Sequence, residues 1–167
     1  MALQGTNSEG QDSSVKLGGV QLNGAVAANG DTLTVRANEH AGRVIAFGKL
    51  AGTIVTLPAA TGTGNTYTFV ISIAATTNAN IIKVANATDV MDGSLMIQQD
   101  TDVDGTNKIW RADAADDTIT MAGAATTGGI IGGKITCTDY KSGFWSCQGF
   151  TQSGGGSEAT PFSATVS

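Results

Sequence analysis

Hydrophobic and polar residues alternate in short segments along most of this chain, and nowhere do apolar residues recur at helical spacing for three turns. The clearest alternation, at residues 66–73, places four large apolar residues on one side, Tyr67, Phe69, Ile71 and Ile73, with Val70 the exception on the polar side. A period of two predicts a β-strand with one buried face. Nine further β-branched runs predict strands at 32–36, 43–47, 53–57, 81–84, 95–98, 108–111, 118–121, 134–140 and 144–150.

Strands of this number and spacing predict an all-β single domain, either a β-sandwich or a jelly-roll-like fold. Residues 1–30 carry isolated apolar residues among Gly, Asn, Ser and Ala, and they predict an extended N-terminal arm. The β-sandwich body is expected at residues 31–152, followed by a Gly/Ser linker and a short C-terminal tail at residues 153–167. Pro58 should end a strand, and the glycines after it should either form a hairpin or carry the chain to the other sheet.

A second hairpin is predicted near the C-terminus, where the three-residue loop 141–143 would place Gly143 in the left-handed region. The register that this loop imposes opposes three pairs of residues: Tyr140 with Phe144, Asp139 with Trp145, and Cys137 with Cys147. Alternation then assigns one face of the hairpin to the core, with Ile135, Cys137, Trp145 and Cys147 on it. The opposite face carries Tyr140, Phe144 and Phe150.

Cys137 and Cys147 are therefore expected to be neighbours, and they are the candidate disulfide of the chain. Synthesis in a reducing cytoplasm favours two free thiols packed beside Trp145, because buried cysteine is a common core residue. Oxidising conditions outside the cell favour a bridge instead. The predicted register permits both states.

The composition bears more on function than on fold. Charged residues make up 14% of the chain, which contains one histidine and two cysteines. A histidine-rich metal centre is excluded, and a Ser-His-Asp arrangement would have to use His40, which we expect to be solvated in a loop beside Glu39. Asp113, Asp116 and Asp117 precede a predicted strand and are expected to form a turn. We therefore expect no enzymatic activity, no catalytic residue, no metal and no cofactor.

Two motifs match known binding loops only in part. Asp100, Asp102 and Asp104 copy the first half of a calcium loop, but Arg111 stands where the bidentate glutamate should be. An acidic turn is expected there, with a weak cation site as the open alternative. Residues 128–134 fall one residue short of a phosphate-binding P-loop and lead into a predicted strand rather than a helix, so a glycine turn or bulge is expected.

Charge and hydropathy restrict the partners. A formal net charge of -5 has the wrong sign for neutralising phosphates, so we expect no direct nucleic-acid binding. The apolar runs are far shorter than the roughly 20 residues that span a bilayer, and the N-terminus lacks the pattern of a secretory signal. We therefore expect cytoplasmic synthesis and no membrane partner. Trp110 and Trp145 are expected to anchor the core rather than to stack on sugars.

Several segments resemble a β-rich virion protein of tailed bacteriophages, of the capsid decoration (cement) or minor head protein type. The resemblance extends over residues 40–163 and includes the sequence TIVTLPAATGTGNTYTFVI at 53–71. Its other segments are residues 43–47, 78–93, 116–120, 126–129 and 159–163. These motifs are structural rather than catalytic, so they bear on fold and setting more than on chemistry.

The resemblance implies a virion protein on the capsid surface that binds the major capsid protein and stabilises the head without enzymatic activity. It also implies self-association as a homotrimer. The apolar residues of the arm are the candidate capsid or inter-subunit contacts: Val15, Leu17, Val20, Leu22 and Val26. A head- or tail-fibre module that binds a receptor or glycan is the alternative, because the motifs do not fix the position in the particle.

Overall fold

The computed structural model describes residues 24–99, 107–123, 125–155 and 158–166. Strands dominate these residues, which confirms the predicted all-β, sandwich-like domain. The strands are β1 (Val26–Ala28), β2 (Thr32–Thr34), β3 (Val44–Phe47), β4 (Ile54–Thr56), β5 (Thr66–Ile71), β6 (Asn80–Lys83), β7 (Val90–Gln99), β8 (Asn107–Arg111), β9 (Thr118–Met121), β10 (Lys134–Lys141), β11 (Phe144–Ser153) and β12 (Phe162–Ser163). The helix α1 (Ala37–His40) is a single turn, and no helix in the described ranges is long and apolar enough to cross a membrane.

Each of the ten predicted segments overlaps an observed strand. The match is closest at β9, where predicted and observed bounds coincide. β7 is much longer than the predicted segment 95–98, since Gly93 and the polar residues beside it interrupt the apolar pattern. The sequence does not predict β1 or β12, which are only three and two residues long.

The first six strands wind alternately between two sheets. β1, β3 and β5 lie side by side in one sheet and β2, β4 and β6 in the other, and every neighbouring pair among them is parallel. The segment through Pro58 joins β4 to β5 in the opposite sheet. It is therefore a connection between sheets and not a hairpin, which decides between the two predicted alternatives.

The later strands complete both sheets, mainly with antiparallel pairs. The seven-stranded sheet has the order β1-β3-β5-β10-β11-β7-β8, and the five-stranded sheet has the order β12-β9-β6-β4-β2. β10 and β11 form the predicted hairpin near the centre of the larger sheet. β7 runs parallel to β11 over its whole length, which makes this the longest ladder of the fold. The larger sheet therefore presents a broad outer face.

The core lies between the inner faces of the two sheets. β5 shows the predicted alternation, with Tyr67, Phe69 and Ile71 buried, whereas Ile73 lies beyond the strand and is 39% exposed. The rings of Tyr67 and Trp145 pack with their centroids 5.7 Å apart, an aromatic contact that adds to the apolar area they bury. Trp145 is buried and Trp110 packs against the same core, as predicted.

The β10–β11 hairpin keeps the predicted register up to its turn. Cys137 lies opposite Cys147 and Asp139 opposite Trp145. Both cysteines, Trp145 and Ile135 are buried on the inner face, as the alternation predicts.

The predicted pairing at the turn itself was wrong. Lys141, and not Tyr140, lies opposite Phe144, because the register shifts between Asp139 and Lys141. The extra residue forms a bulge that directs the exposed Tyr140 away from the core. Gly143 has a φ of +81°, the left-handed conformation that was expected.

The sandwich extends on both sides of residues 31–152. β1 lies inside the predicted arm, where Ala28 is buried and Val26 packs against the core. β12 lies inside the predicted tail, where Phe162 is buried and pairs with Ile119 of β9. These two short strands join the ends of the described chain to the body.

Candidate functional site

The outer face of the seven-stranded sheet carries a continuous row of mainly apolar residues. The cross-strand register aligns one residue from each strand along it: Ala27, Ala46, Val70, Lys134, Phe150, Met96 and Ile109. Inner-face positions alternate with these along the strands, so the seven side chains lie on the solvent side. We call this set the apolar row.

The apolar row is open to a partner. Ile109 is 70% exposed and Phe150 is 37% exposed, while Met96 and Val70 are half-buried beside them. Seven strands at their usual spacing make the row about 30 Å long. Single exposed apolar residues are ordinary, but a contiguous strip is typical of a surface that binds another molecule.

Threonine side chains flank the apolar row and fix its surroundings. The hydroxyls of Thr66 and Thr138 lie 3.0 Å apart, and those of Thr68 and Thr136 lie 3.5 Å apart. Such cross-strand pairs restrict the side chains to one arrangement. Lys134 is the one charged member of the row, so the strip itself is nearly neutral.

A cluster of aromatic and charged residues lies at the β10–β11 turn, which we call the aromatic tip. The rings of Tyr140 and Phe144 lie 6.3 Å apart, and Lys141 Nζ lies 4.2 Å from the centre of the Phe144 ring. The Tyr140 hydroxyl donates to the Asp92 carboxylate at 2.5 Å, and this hydrogen bond raises the pKa of Tyr140. The tip therefore joins the exposed ring of Tyr140 and the half-buried ring of Phe144 to a cation and an anion.

Asp139 is a buried carboxylate that holds the loop before β5 against β10. Its oxygens accept hydrogen bonds from the backbone nitrogens of Thr61, Gly62 and Thr63 and from the Thr63 hydroxyl, at 2.6–3.3 Å. Burial by itself would raise the pKa of Asp139, but these hydrogen bonds outweigh it and hold the pKa below its ordinary value. The carboxylate is thus a structural anchor.

The aspartates before β9 form a turn, as predicted. The Asp116 carboxylate accepts a hydrogen bond from the backbone nitrogen of Asp113 at 2.7 Å. Asp117 is buried and accepts from the backbone nitrogens of Thr165 and Val166 at 2.9 and 3.1 Å. These carboxylates hold the turn and the C-terminal segment in place.

His40 is buried, contrary to the expectation that it is solvated. Its Nδ1 accepts a hydrogen bond from the backbone nitrogen of Arg36 at 2.9 Å, which closes the turn of α1. The same Nδ1 lies 3.2 Å from the carbonyl oxygen of Arg36, so the ring is held against the backbone at the start of the turn. Glu39 pairs instead with the exposed Arg36 guanidinium at 3.3 Å. The ring has a local structural role in the turn.

The glycine-rich segment before β10 is a turn, as expected. Gly128, Gly129 and Gly132 all adopt positive φ, which only glycine does at low cost. Lys134 then begins β10 and belongs to the apolar row, so this lysine does not follow a helix N-terminus as a P-loop requires.

The remaining sequence-based candidates lie outside the described residues. They are the acidic loop residues Asp100, Asp102 and Asp104, and the arm residues Val15, Leu17, Val20 and Leu22. Within the described ranges, no three His, Cys, Asp or Glu side chains are grouped so that they could hold a metal ion.

The chain was compared with models of protein families, with curated proteins and with solved structures, and it matches none of them.

The apolar row was not predicted from the sequence, since its members come from seven strands that only the register aligns. The signals in the sequence were Val70, an apolar residue on the polar side of an otherwise regular strand, and Phe150 on the outer face of its hairpin.

The cysteine pair is adjacent and deeply buried. Cys147 Sγ lies 2.7 Å from Cys137 Sγ, and neither sulfur is part of a disulfide. Burial, reinforced by the contact with Cys137, raises the pKa of Cys147, so the thiolate needed for oxidation is rare at neutral pH.

We predict that this pair becomes a disulfide slowly when the protein is exposed to air. Dissolved oxygen would take two electrons and two protons from the thiols, and the closed loop would add at most about 3 kcal/mol of stability. Thiol titration of denatured, air-aged protein should find no free thiol, while protein freshly purified under reducing conditions should show both. Two free thiols in the aged sample would show that the pair stays reduced.

Proposed function

We propose that this protein is a non-enzymatic decoration (cement) protein of a tailed-bacteriophage head. In this proposal the outer face of the seven-stranded sheet binds the outer surface of the major capsid protein shell and stabilises the head. The observation that carries the proposal is the apolar row, a nearly uncharged strip across seven strands. The resemblance of residues 40–163 to phage virion proteins supports the same setting.

A strip of this kind suits a flat partner surface that repeats many times. Burial of apolar area contributes about 25 cal/mol per Å², and Phe150 and Ile109 are the most exposed large hydrophobic side chains of the row. Lys134 offers one attachment for an acidic group. Because many copies bind one shell, their modest individual binding free energies add up to a large stabilisation of the shell.

The proposal includes self-association as a homotrimer and synthesis in the host cytoplasm before assembly onto the capsid. It includes no direct partner among nucleic acids or membranes. The apolar arm residues Val15, Leu17, Val20 and Leu22 are proposed to contact the shell or a neighbouring subunit. Val26 packs partly against the core of its own chain, so only its exposed part is open to such a contact.

The alternative is a receptor- or glycan-binding module on a head or tail fibre. The aromatic tip favours it, because exposed rings next to charged groups can stack on the apolar face of a sugar and bind its hydroxyls. Glycan arrays separate the two functions: sugar binding that Tyr140→Ala abolishes would support the fibre module.

The head-binding function predicts a strong effect of charge in the apolar row. Phe150→Lys should weaken binding to purified heads lacking the protein by more than about tenfold, because it places a second cation directly opposite Lys134 and burial of an unpaired charge is costly. Ile54→Lys is the matched control, since Ile54 is also 37% exposed but lies in the five-stranded sheet. Co-sedimentation with the heads measures both. Equal binding by the two variants would exclude this face as the contact surface.

A further inference from the structure

We propose that β8 pairs in antiparallel fashion with β8 of a second copy about a twofold axis at Ile109. β8 is the last strand of the seven-stranded sheet, and β7 is its one neighbour among the described strands. Pairing two such edges would join two seven-stranded sheets into one. This contact does not depend on the proposed function.

Among the described residues, no backbone hydrogen bond uses the groups on the side of β8 that faces away from β7. Ala112 N donates to Gly93 O at 3.0 Å, so the amides of Trp110 and Lys108, at every second residue, also face β7. The backbone groups of three residues therefore face away from β7: Asn107, Ile109 and Arg111. An open edge of this kind pairs readily with another strand.

The side chains make this edge self-complementary. Ile109 is the middle residue of β8, so antiparallel pairing about it places Asn107 of each copy opposite Arg111 of the other. The three opposed pairs exchange about six backbone hydrogen bonds. The Asn107 amide oxygen can accept from the guanidinium facing it. No two like charges of β8 are then directly opposed.

The pairing also covers apolar surface that is now exposed. Ile109 is 70% exposed, more than any other large hydrophobic residue among those described. On the twofold axis the two Ile109 side chains contact each other on the outer face, which continues the apolar row from one copy to the next. On the inner face, Lys108 lies opposite Trp110 of the other copy, and its ammonium group remains paired with Glu158 at 3.4 Å in its own chain.

The other sheet edges suit a second copy less well. β1 and β2 have three residues each and β12 has two, whereas β8 has five. Short edges form short ladders. The Arg43 guanidinium also donates to Gly24 O at 2.7 Å beside the start of β1. β8 is therefore the edge strand, among those described, that can form the longest ladder with a second copy.

Charge at the twofold axis tests the pairing. Ile109→Lys places two like charges against each other, so light scattering should find half the mass of the wild-type protein. The halving is expected for a pair of single chains, and equally for a pair of trimers in which all three β8 edges of one trimer pair with the other trimer. Ile131→Lys is the control, because Ile131 is 62% exposed and lies in the glycine turn before β10. A wild-type mass that Ile109→Lys leaves unchanged would overturn the proposal.

Cross-linking tests the register in the wild-type background, where both native cysteines are buried. Asn107→Cys protein is mixed with Arg111→Cys protein that carries a tag of different size, and a short bismaleimide is added. The proposed register predicts a cross-linked dimer that contains one chain of each variant. Each variant alone should give little product, because identical positions are far apart in this register. Cross-linking of Asn107→Cys with itself, or no mixed product, would overturn the proposed pairing.

Discussion

Replacing Gly93 with alanine is expected to lower the free energy of unfolding by more than about 3 kcal/mol. Gly93 has a φ of +116°, where any side chain is strained. A Cβ there would collide with the carbonyl oxygen of Cys147 and lie 2.9 Å from its carbonyl carbon. Both atoms belong to the central strand β11, so neither can move without disturbing the longest ladder of the fold.

Gly132→Ala is the matched control for this prediction. Gly132 has a φ of +94° but has nothing within 4 Å of the added Cβ, so it isolates the backbone strain, which costs about 1 to 2 kcal/mol. Denaturant unfolding of both variants measures the difference. Equal losses of stability would mean that the contact between β7 and β11 is looser than the structure places it.

Replacing Asp139 with asparagine is expected to cost about 2 to 3 kcal/mol at pH 7, because charge-assisted hydrogen bonds are lost and an amide NH₂ meets backbone donors. Asp113→Asn is the control, since Asp113 is exposed, and should change stability by less than about 0.5 kcal/mol. Thermal unfolding compares them. A loss as small as that of the control would contradict the anchoring role of Asp139.

Asp139→Asn should also change how the free energy of unfolding depends on pH. The pKa of Asp139 is lower in the folded protein than its unfolded value of about 3.9. Its contribution to stability is therefore complete well above pH 4 and is lost as the pH falls through the folded pKa. The stability difference between wild-type and Asp139→Asn protein should be constant from about pH 6 to 8 and shrink below about pH 4. A difference that grows on acidification would contradict this account.

The strands could be predicted from the sequence because alternation is a local property. β5 and β9 show it directly, and the Cys137–Cys147 register followed from one turn glycine. The parallel winding of the first six strands could not be predicted in this way. A half-buried strand such as β3 has the same alternation beside a parallel or an antiparallel neighbour, so its partner is decided by contacts distant in sequence.

The candidate site was less predictable for the same reason. Phe150 was correctly placed on the outer face of its hairpin, but its alignment with Met96 and Ile109 depends on the parallel pairing of β11 with β7. Tyr140 was also placed correctly on the outer face, but the bulge that pairs Lys141 in its place with Phe144 is not specified by loop length alone. Burial of His40 depends on a hydrogen bond to the backbone of Arg36 that residue type does not indicate.

The most direct test of the central proposal is a cryo-electron microscopy reconstruction of the phage particles that contain this protein. The account predicts density for the two-sheet fold on the outside of the head shell, with the outer face of the seven-stranded sheet against the major capsid protein. Density for this fold on a fibre, with none on the head, would contradict it.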